Sequence, residues 1–177
     1  MITNILFLFG LLSLWIAKRY GRHAFILSGQ VLCMIAIFRL CYFDILFSNP
    51  IFNHHAIGKL PLFNSLITTY LLPTGMIYFL YRKFDFPLKQ STFKYFPYLL
   101  SSLIFIYLNL NLRQFYQGEY LNSSVTSGAE IYTYSLVWLL VGIILLFTGI
   151  LKQSQIIRYA SLALMIVTVL KVFLFDT

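Results

Sequence analysis

Residues Ile131 to Leu151 read IYTYSLVWLLVGIILLFTGIL, and Ile156 to Phe175 read IIRYASLALMIVTVLKVFLF. Each is close to the ~20 mostly apolar residues that a helix needs to cross the hydrocarbon of a bilayer. Between them stand Lys152, Gln153, Ser154 and Gln155, with Arg158 soon after. Two membrane-length segments around a short basic turn make a helical hairpin with a positively charged elbow, and the rest of the chain repeats that plan.

Composition points the same way. Hydrophobic residues are 60% and charged residues 10% of the 177, against roughly 25% charged in ordinary soluble domains. Too little polar surface is left to hold such a chain in water. The 13 basic residues outnumber the 5 acidic ones, an excess that nucleic-acid binders also show. Here nine of the 13 (Lys18, Arg19, Arg22, Arg82, Lys83, Lys89, Lys94, Lys152 and Arg158) lie in or beside three short turns between apolar segments. That is how membrane helices are oriented, so the bilayer is the expected partner and nucleic acid is not.

Taken in order, the apolar segments predict helices over about 2–17, 24–43, 62–81, 95–112, 131–151 and 156–175 within one transmembrane domain, 1–177. The expected fold is an all-α integral membrane protein, a bundle of six transmembrane helices in three hairpins. Pro73 interrupts the third helix and predicts a kink near Leu71. Six crossings put both termini on one face, and the basic turns place that face outside. The basic run after the first segment, rather than before it, distinguishes that segment from a signal peptide. The expected location is a bacterial inner membrane, with several passes.

With that orientation Arg39, Asp44, Arg113, Glu119, Glu130, Lys171 and Asp176 all fall near outer helix ends, four of the five acidic residues among them. Lys171 is the most informative charge, because an ionisable side chain within a span costs about 2.5–3.5 kcal/mol at the centre of the helix. It either snorkels to the headgroups or pairs with Glu130 or another outer carboxylate. Arg39 poses the same choice. The pairs Arg39/Asp44 and Lys171/Asp176 are five apart, about 140° round an α-helix at 1.5 Å rise and 3.6 residues per turn, so neither is expected to pair within its helix. Glu130, Tyr134 and Trp138 are spaced by four and share one face, either as an interfacial aromatic anchor or as a carboxylate, phenol and indole aimed at one outer cavity. Gly142 and Gly149, seven apart, favour close helix packing.

No metal or cofactor is expected. His54 and His55 are adjacent, point in different directions, and lack a third ligand. Cys33 and Cys41 are eight residues apart in one predicted helix, a rise of about 12 Å, beyond disulfide reach.

The string YSLVWLLVGIILLFTGI from Tyr134, the elbow after it, and LKVFLFD from Leu170 to Asp176 resemble the C-terminal region of a bacterial family of predicted membrane proteins catalogued as domain of unknown function 2339. The Arg39 region, PLFNSLITTYLLP from Pro61, NLRQFYQG from Asn111, and Glu130 ahead of YTYSLVW also resemble it. The likeness covers most of the chain beyond about Arg39. Members of the family are usually longer, with further spans upstream and beyond the LKVFLFD-like motif, so the resemblance implies a fragment or split gene product. The family pattern places a histidine where this chain has Gln117. Since the family is uncharacterised, the resemblance implies no activity.

Three function classes follow from these residues. One is a transport or binding bundle whose outer cluster (Arg39, Asp44, Arg113, Glu130, Tyr134, Trp138, Lys171 and Asp176) contacts a polar solute or lipid headgroup. Another is a membrane enzyme of envelope lipid or glycan modification, with His54, His55 or Glu130 as acid or base; the lack of a catalytic motif weighs against it. The last is a structural or assembly subunit, with a second copy or an upstream membrane subunit as partner. The first is the reading preferred on sequence.

Overall fold

The structure, a computed structural model, describes residues 2–53, 55–83 and 96–176. His54, and with it Asp85, Pro87, Lys89 and Lys94 of the second basic turn, lie outside the described residues. All regular structure among the described residues is helical. In chain order it comprises α1 (Ile2–Tyr20), α2 (α-helical His23–Arg39 running into a π-helical turn, Leu40–Phe47), α3 (π-helical Ile67–Leu71, then α-helical Leu72–Lys83), α4 (Phe96–Gln117), α5 (Gly128–Leu151) and α6 (Gln155–Lys171, ending in a π turn, Val172–Asp176). The chain divides into two compact units, Met1–Ser123 and Ser124–Thr177.

Among the described residues four helices are long and apolar enough to cross a membrane: Ile2–Tyr20, His23–Phe47, Gly128–Leu151 and Gln155–Phe175. The other two differ for physical reasons. α3 is broken by its π turn just before Pro73, whose ring and missing N–H do not fit an uninterrupted α-helix. The Thr74 hydroxyl donates to the Tyr70 carbonyl across that break at 2.6 Å. α4 runs on to Gln117, past the expected end at 112, and carries Asn109, Asn111, Arg113 and Gln114 in its last turns.

In the first unit α1 and α2 cross closely. The buried positions of α1 are Thr3, Phe7, Gly10, Leu14 and Ala17, alternating steps of four and three, and they face Gly29, Cys33, Ala36 and Leu40 of α2. The steps are those of a helix–helix seam, with small residues where the backbones approach. A Cβ on Gly29 would lie 2.9 Å from the Gly10 carbonyl oxygen, and one on Gly10 would lie 2.6 Å from Cys33 Sγ. The elbow turns at Gly21, whose φ of +65° suits glycine. At the elbow end the Lys18 ammonium donates to the Lys83 carbonyl at 3.5 Å, so the described basic residues of α1 and α3 share one pole of this unit.

At the opposite pole a network of buried amides ties the connection before α3 to α4. Asn111 Oδ1 accepts from Leu62 N–H at 2.9 Å and from Asn64 Nδ2 at 2.8 Å, and Gln114 Nε2 donates to the Gly58 carbonyl at 2.6 Å. Asn64 Nδ2 also donates to Gln114 Oε1, and the Tyr107 hydroxyl donates to the Leu62 carbonyl at 2.9 Å. These bonds answer polar backbone that apolar surroundings would otherwise leave unpaired.

The second unit is a hairpin. α5 begins at Gly128 rather than the expected Ile131, because Ser127 caps it: its hydroxyl accepts from Glu130 N–H at 3.2 Å, with Glu130 three residues on in the first turn. The close packing expected of Gly142 and Gly149 is present. A Cβ on Gly142 would meet Met165 Cγ at 3.1 Å, and one on Gly149 would meet Arg158 N at 3.0 Å. Ser161 Oγ donates to the Gly142 carbonyl at 2.7 Å, and Gln153 turns the elbow at φ +50°.

Candidate functional site

In the first unit the charged groups of interest lie at the pole away from the elbow. Arg39 is the last α-helical residue of α2, and the π turn begins at Leu40. Ser48 N–H donates to the Phe43 carbonyl five residues back, at 2.7 Å, the long-range bond that widens a helix into π geometry. On such a turn, residues five apart return to nearly the same face. The 140° separation expected for Arg39 and Asp44 belongs to an α-helix, and the structure replaces it with successive positions on one widened turn.

The two charges are nevertheless engaged differently. Asp44 Oδ2 accepts from the Thr3 hydroxyl of α1, and the Asp44 main-chain carbonyl accepts from the Tyr70 hydroxyl of α3 at 3.2 Å. The Arg39 guanidinium lies over the Phe43 ring, 5.3 Å from its centroid. Its Nε is buried and has no hydrogen-bond partner among the described residues. Nearby in the fold, Asn4 Nδ2 donates to the Thr68 carbonyl at 2.7 Å while its Oδ1 is likewise buried without a partner among the described residues. Arg113 belongs to the same unit but is taken up in another role, its Nε donating to the Leu121 carbonyl at 2.6 Å.

In the second unit Glu130 is fully buried at 0% exposure, and the Tyr134 hydroxyl donates to its Oε1 at 3.4 Å. The spacing of four thus places carboxylate and phenol together, with the half-buried Trp138 one turn further along. Lys171 turns back onto α5. Its ammonium donates to Ser135 Oγ at 2.7 Å and to the Ile131 carbonyl at 3.0 Å. Ser135, one residue beyond Tyr134, was not singled out by sequence; its position seven residues before Gly142 on the packed face is the signal that would have found it. Asp176 closes the π turn that follows Lys171, and its side chain lies outside the described residues.

In each unit, taken by itself, the second helix of the hairpin passes from α to π geometry directly after its cation, Arg39 or Lys171. In the first unit Arg39, Asp44 and the Thr3 hydroxyl lie on or beside that turn, which suits recognition of a charged or strongly polar group rather than bond-breaking chemistry.

The family model described as predicted membrane protein (DUF2339) matches residues 1–177. The chain belongs to the DUF2339 family. The match takes in α1 and the start of α2, ahead of the Arg39 region where the likeness read from motifs began. Neither a curated protein nor a solved structure matches the DUF2339 chain. Membership establishes a membrane protein whose biochemical role is open, consistent with the apolar helices.

Proposed function

We propose that this chain is a multi-pass protein of a bacterial inner membrane, with six crossings in three hairpins and both termini outside. On this reading, ionic groups at the outer ends of its helices bind or pass on a polar solute or a lipid headgroup. The observation that carries the binding role is Arg39: a guanidinium near the end of an apolar helix, set on a π turn, with a buried Nε that no described residue satisfies. A cation held in apolar surroundings costs several kcal/mol, on the order of 3 at the centre of a span, unless a counter-charge meets it. Asp44, the adjacent carboxylate, is occupied by Thr3, and Arg39 forms no ion pair among the described residues. An anionic oxygen from outside the chain would meet that need.

The test is binding of phosphatidylglycerol, phosphatidylethanolamine and inorganic phosphate to the purified chain in detergent, read by native mass spectrometry. At least one of these probes should remain bound through desolvation and lose occupancy at least tenfold in Arg39→Gln, about 1.4 kcal/mol. Equal occupancy in the wild type and in a folded Arg39→Gln variant would remove Arg39 from the site. Assembly is supported as a second reading by α5 and α6, which bury only 17% and 11% of their apolar windows; lipid or a partner helix would have to cover the rest.

A further inference from the structure

The connection before α3 joins three features that do not belong together in a loop facing water. It is apolar, for no charged side chain occurs between Leu60 and Tyr81, although residues 60–64 are not helical. Leu62 stands at φ +70°, a conformation that glycine or asparagine takes readily and a bulky apolar residue does not. The side chains at the tip are exposed, Leu60 at 67%, Leu62 at 55% and Phe63 at 80%, while Ile57, Asn64 and Leu66 around them are buried.

The backbone of this tip is met from inside the protein. Leu62 N–H donates to Asn111 Oδ1 at 2.9 Å and the Leu62 carbonyl accepts from the Tyr107 hydroxyl at 2.9 Å, so α4 fixes both sides of the strained residue. Gln114 Nε2 donates to the Gly58 carbonyl at 2.6 Å, Ile57 N–H to the Glu119 carbonyl at 3.0 Å, and Leu66 N–H to Asn64 Oδ1 at 3.0 Å. A turn in water needs no such set, because solvent answers exposed peptide groups. Where hydrocarbon replaces water, non-helical backbone persists only if protein groups satisfy it. Three buried amide side chains and a phenol behind one apolar tip meet that second requirement.

Length gives an independent measure. The charge-free part of α3 is helical over 65–81, seventeen residues, or about 25 Å at 1.5 Å each. A hydrocarbon core of about 30 Å leaves a remainder of about 5 Å. Residues 60–64 can supply it, at up to about 3.3 Å each when extended. The exposed apolar residues of α3, Leu71, Leu72 and Tyr78, and those of the tip form one run of chain with no charge among them. A lipid-facing surface has that form, whereas a protein-docking patch carries a polar rim.

We propose that residues 60–63 form a membrane-embedded hook whose partner is lipid. Leu60, Leu62 and Phe63 sit among the acyl chains at the edge of the hydrocarbon, at the pole of the first unit away from Lys18 and Lys83. Through Asn111, Gln114 and Tyr107, α4 presets the shape of the hook, and the hook completes the crossing that the helical part of α3 leaves short. The proposal rests on α3 crossing the bilayer, as in the topology proposed above, and is independent of Arg39 and of any ligand there.

The experiment uses the full chain carrying Cys33→Ala and Cys41→Ala, in phosphatidylglycerol nanodiscs, with a nitroxide on one introduced cysteine at a time. The positions are Leu60→Cys and Phe63→Cys in the hook, Leu72→Cys within α3, and His55→Cys before the hook. Relaxation of the label by oxygen, which concentrates among acyl chains, is compared with relaxation by a water-soluble nickel chelate. The oxygen-to-chelate ratio at Leu60 and Phe63 should be several-fold above that at His55 and below that at Leu72. Adding Asn111→Leu should free the hook and raise chelate access at Phe63 several-fold; where that chain is not monodisperse, Tyr107→Phe replaces it and should act in the same direction. A ratio at Leu60 and Phe63 equal to that at His55, with Leu72 still in lipid, would overturn the hook and leave the crossing standing. Access to neither reagent at Phe63 would mean protein cover and overturn lipid as the partner. An aqueous ratio at Leu72 as well would remove the crossing of α3 and the hook together.

Discussion

Substituting Gly29 by alanine adds one methyl to the closest point of the α1–α2 crossing. Its Cβ would stand 2.7 Å from Leu14 Cγ and 2.9 Å from the Gly10 carbonyl oxygen. Leu14 can rotate aside, but the carbonyl belongs to a helix backbone, so the two helices must separate by several tenths of an ångström along the whole seam. Overpacking of this kind costs about 1–3 kcal/mol, and alanine returns about 0.8–1.0 kcal/mol of helix propensity over glycine. The net expectation is a loss of roughly 0–2 kcal/mol. Gly75→Ala is the control, since a Cβ there meets nothing within 4 Å on an exposed face of α3; only the propensity gain remains, and it should stabilise by up to about 1 kcal/mol. Gly10→Ala adds a finer test. Its closest clash is Cys33 Sγ at 2.6 Å, so Cys33→Ala should recover part of the loss, with a coupling of about 0.5–3 kcal/mol. The same Cys33→Ala change should not rescue Gly29→Ala. Reversible unfolding in mixed micelles, followed by the loss of helical circular dichroism, measures each of these variants. A Gly29→Ala chain as stable as Gly75→Ala would refute the glycine crossing.

Two other outcomes follow from particular bonds. Asn111→Leu removes the acceptor shared by Leu62 N–H and Asn64 Nδ2; at about 1–3 kcal/mol for each buried group left unpaired, the segment before α3 should exchange its amide hydrogens at least tenfold faster, as hydrogen–deuterium exchange would record. Gln153→Gly relieves a left-handed residue at the second elbow and should raise stability by about 1 kcal/mol, whereas Gly21→Gln at the matching elbow should lower it by a similar amount; unfolding midpoints that move in the same direction would contradict the shared turn geometry.

The apolar segments, the elbows and the Gly142/Gly149 packing face were legible because each depends on local pattern: twenty apolar residues, a run of cations, a repeat of seven. The pairing of Glu130 with Tyr134 was legible for the same reason, being a spacing of four on one helix. What escaped the sequence depends on partners distant in the chain. Asn109 and Asn111 looked like the end of a span, yet α4 continues to Gln117 because carbonyls and amides of the segment at 58–64 satisfy its polar side chains. The π turns after Arg39 and Lys171 escaped because apolar runs such as LCYF and VFLF carry no mark of i→i+5 bonding. They also change the site, since a spacing of five that an α-helix would split is gathered onto one turn. Lys171 posed a choice between headgroup and carboxylate; what the sequence did not offer was Ser135 and the Ile131 carbonyl of the adjacent helix, to both of which its ammonium donates. The small-residue seam of α1 was hidden among large residues, with Gly10 and Ala17 the only cues.

The proposed topology has apolar helices carry the basic elbows to one face of a membrane and Arg39 and Lys171 to the other. Single cysteines at Gly21 and Gln153, and at Asn53 and Ser124, in a chain lacking Cys33 and Cys41, would be treated with a membrane-impermeant maleimide in intact cells. The account predicts labelling at Asn53 and Ser124 only, with Gly21 and Gln153 reacting after the membrane is opened; labelling of either elbow in intact cells would contradict it.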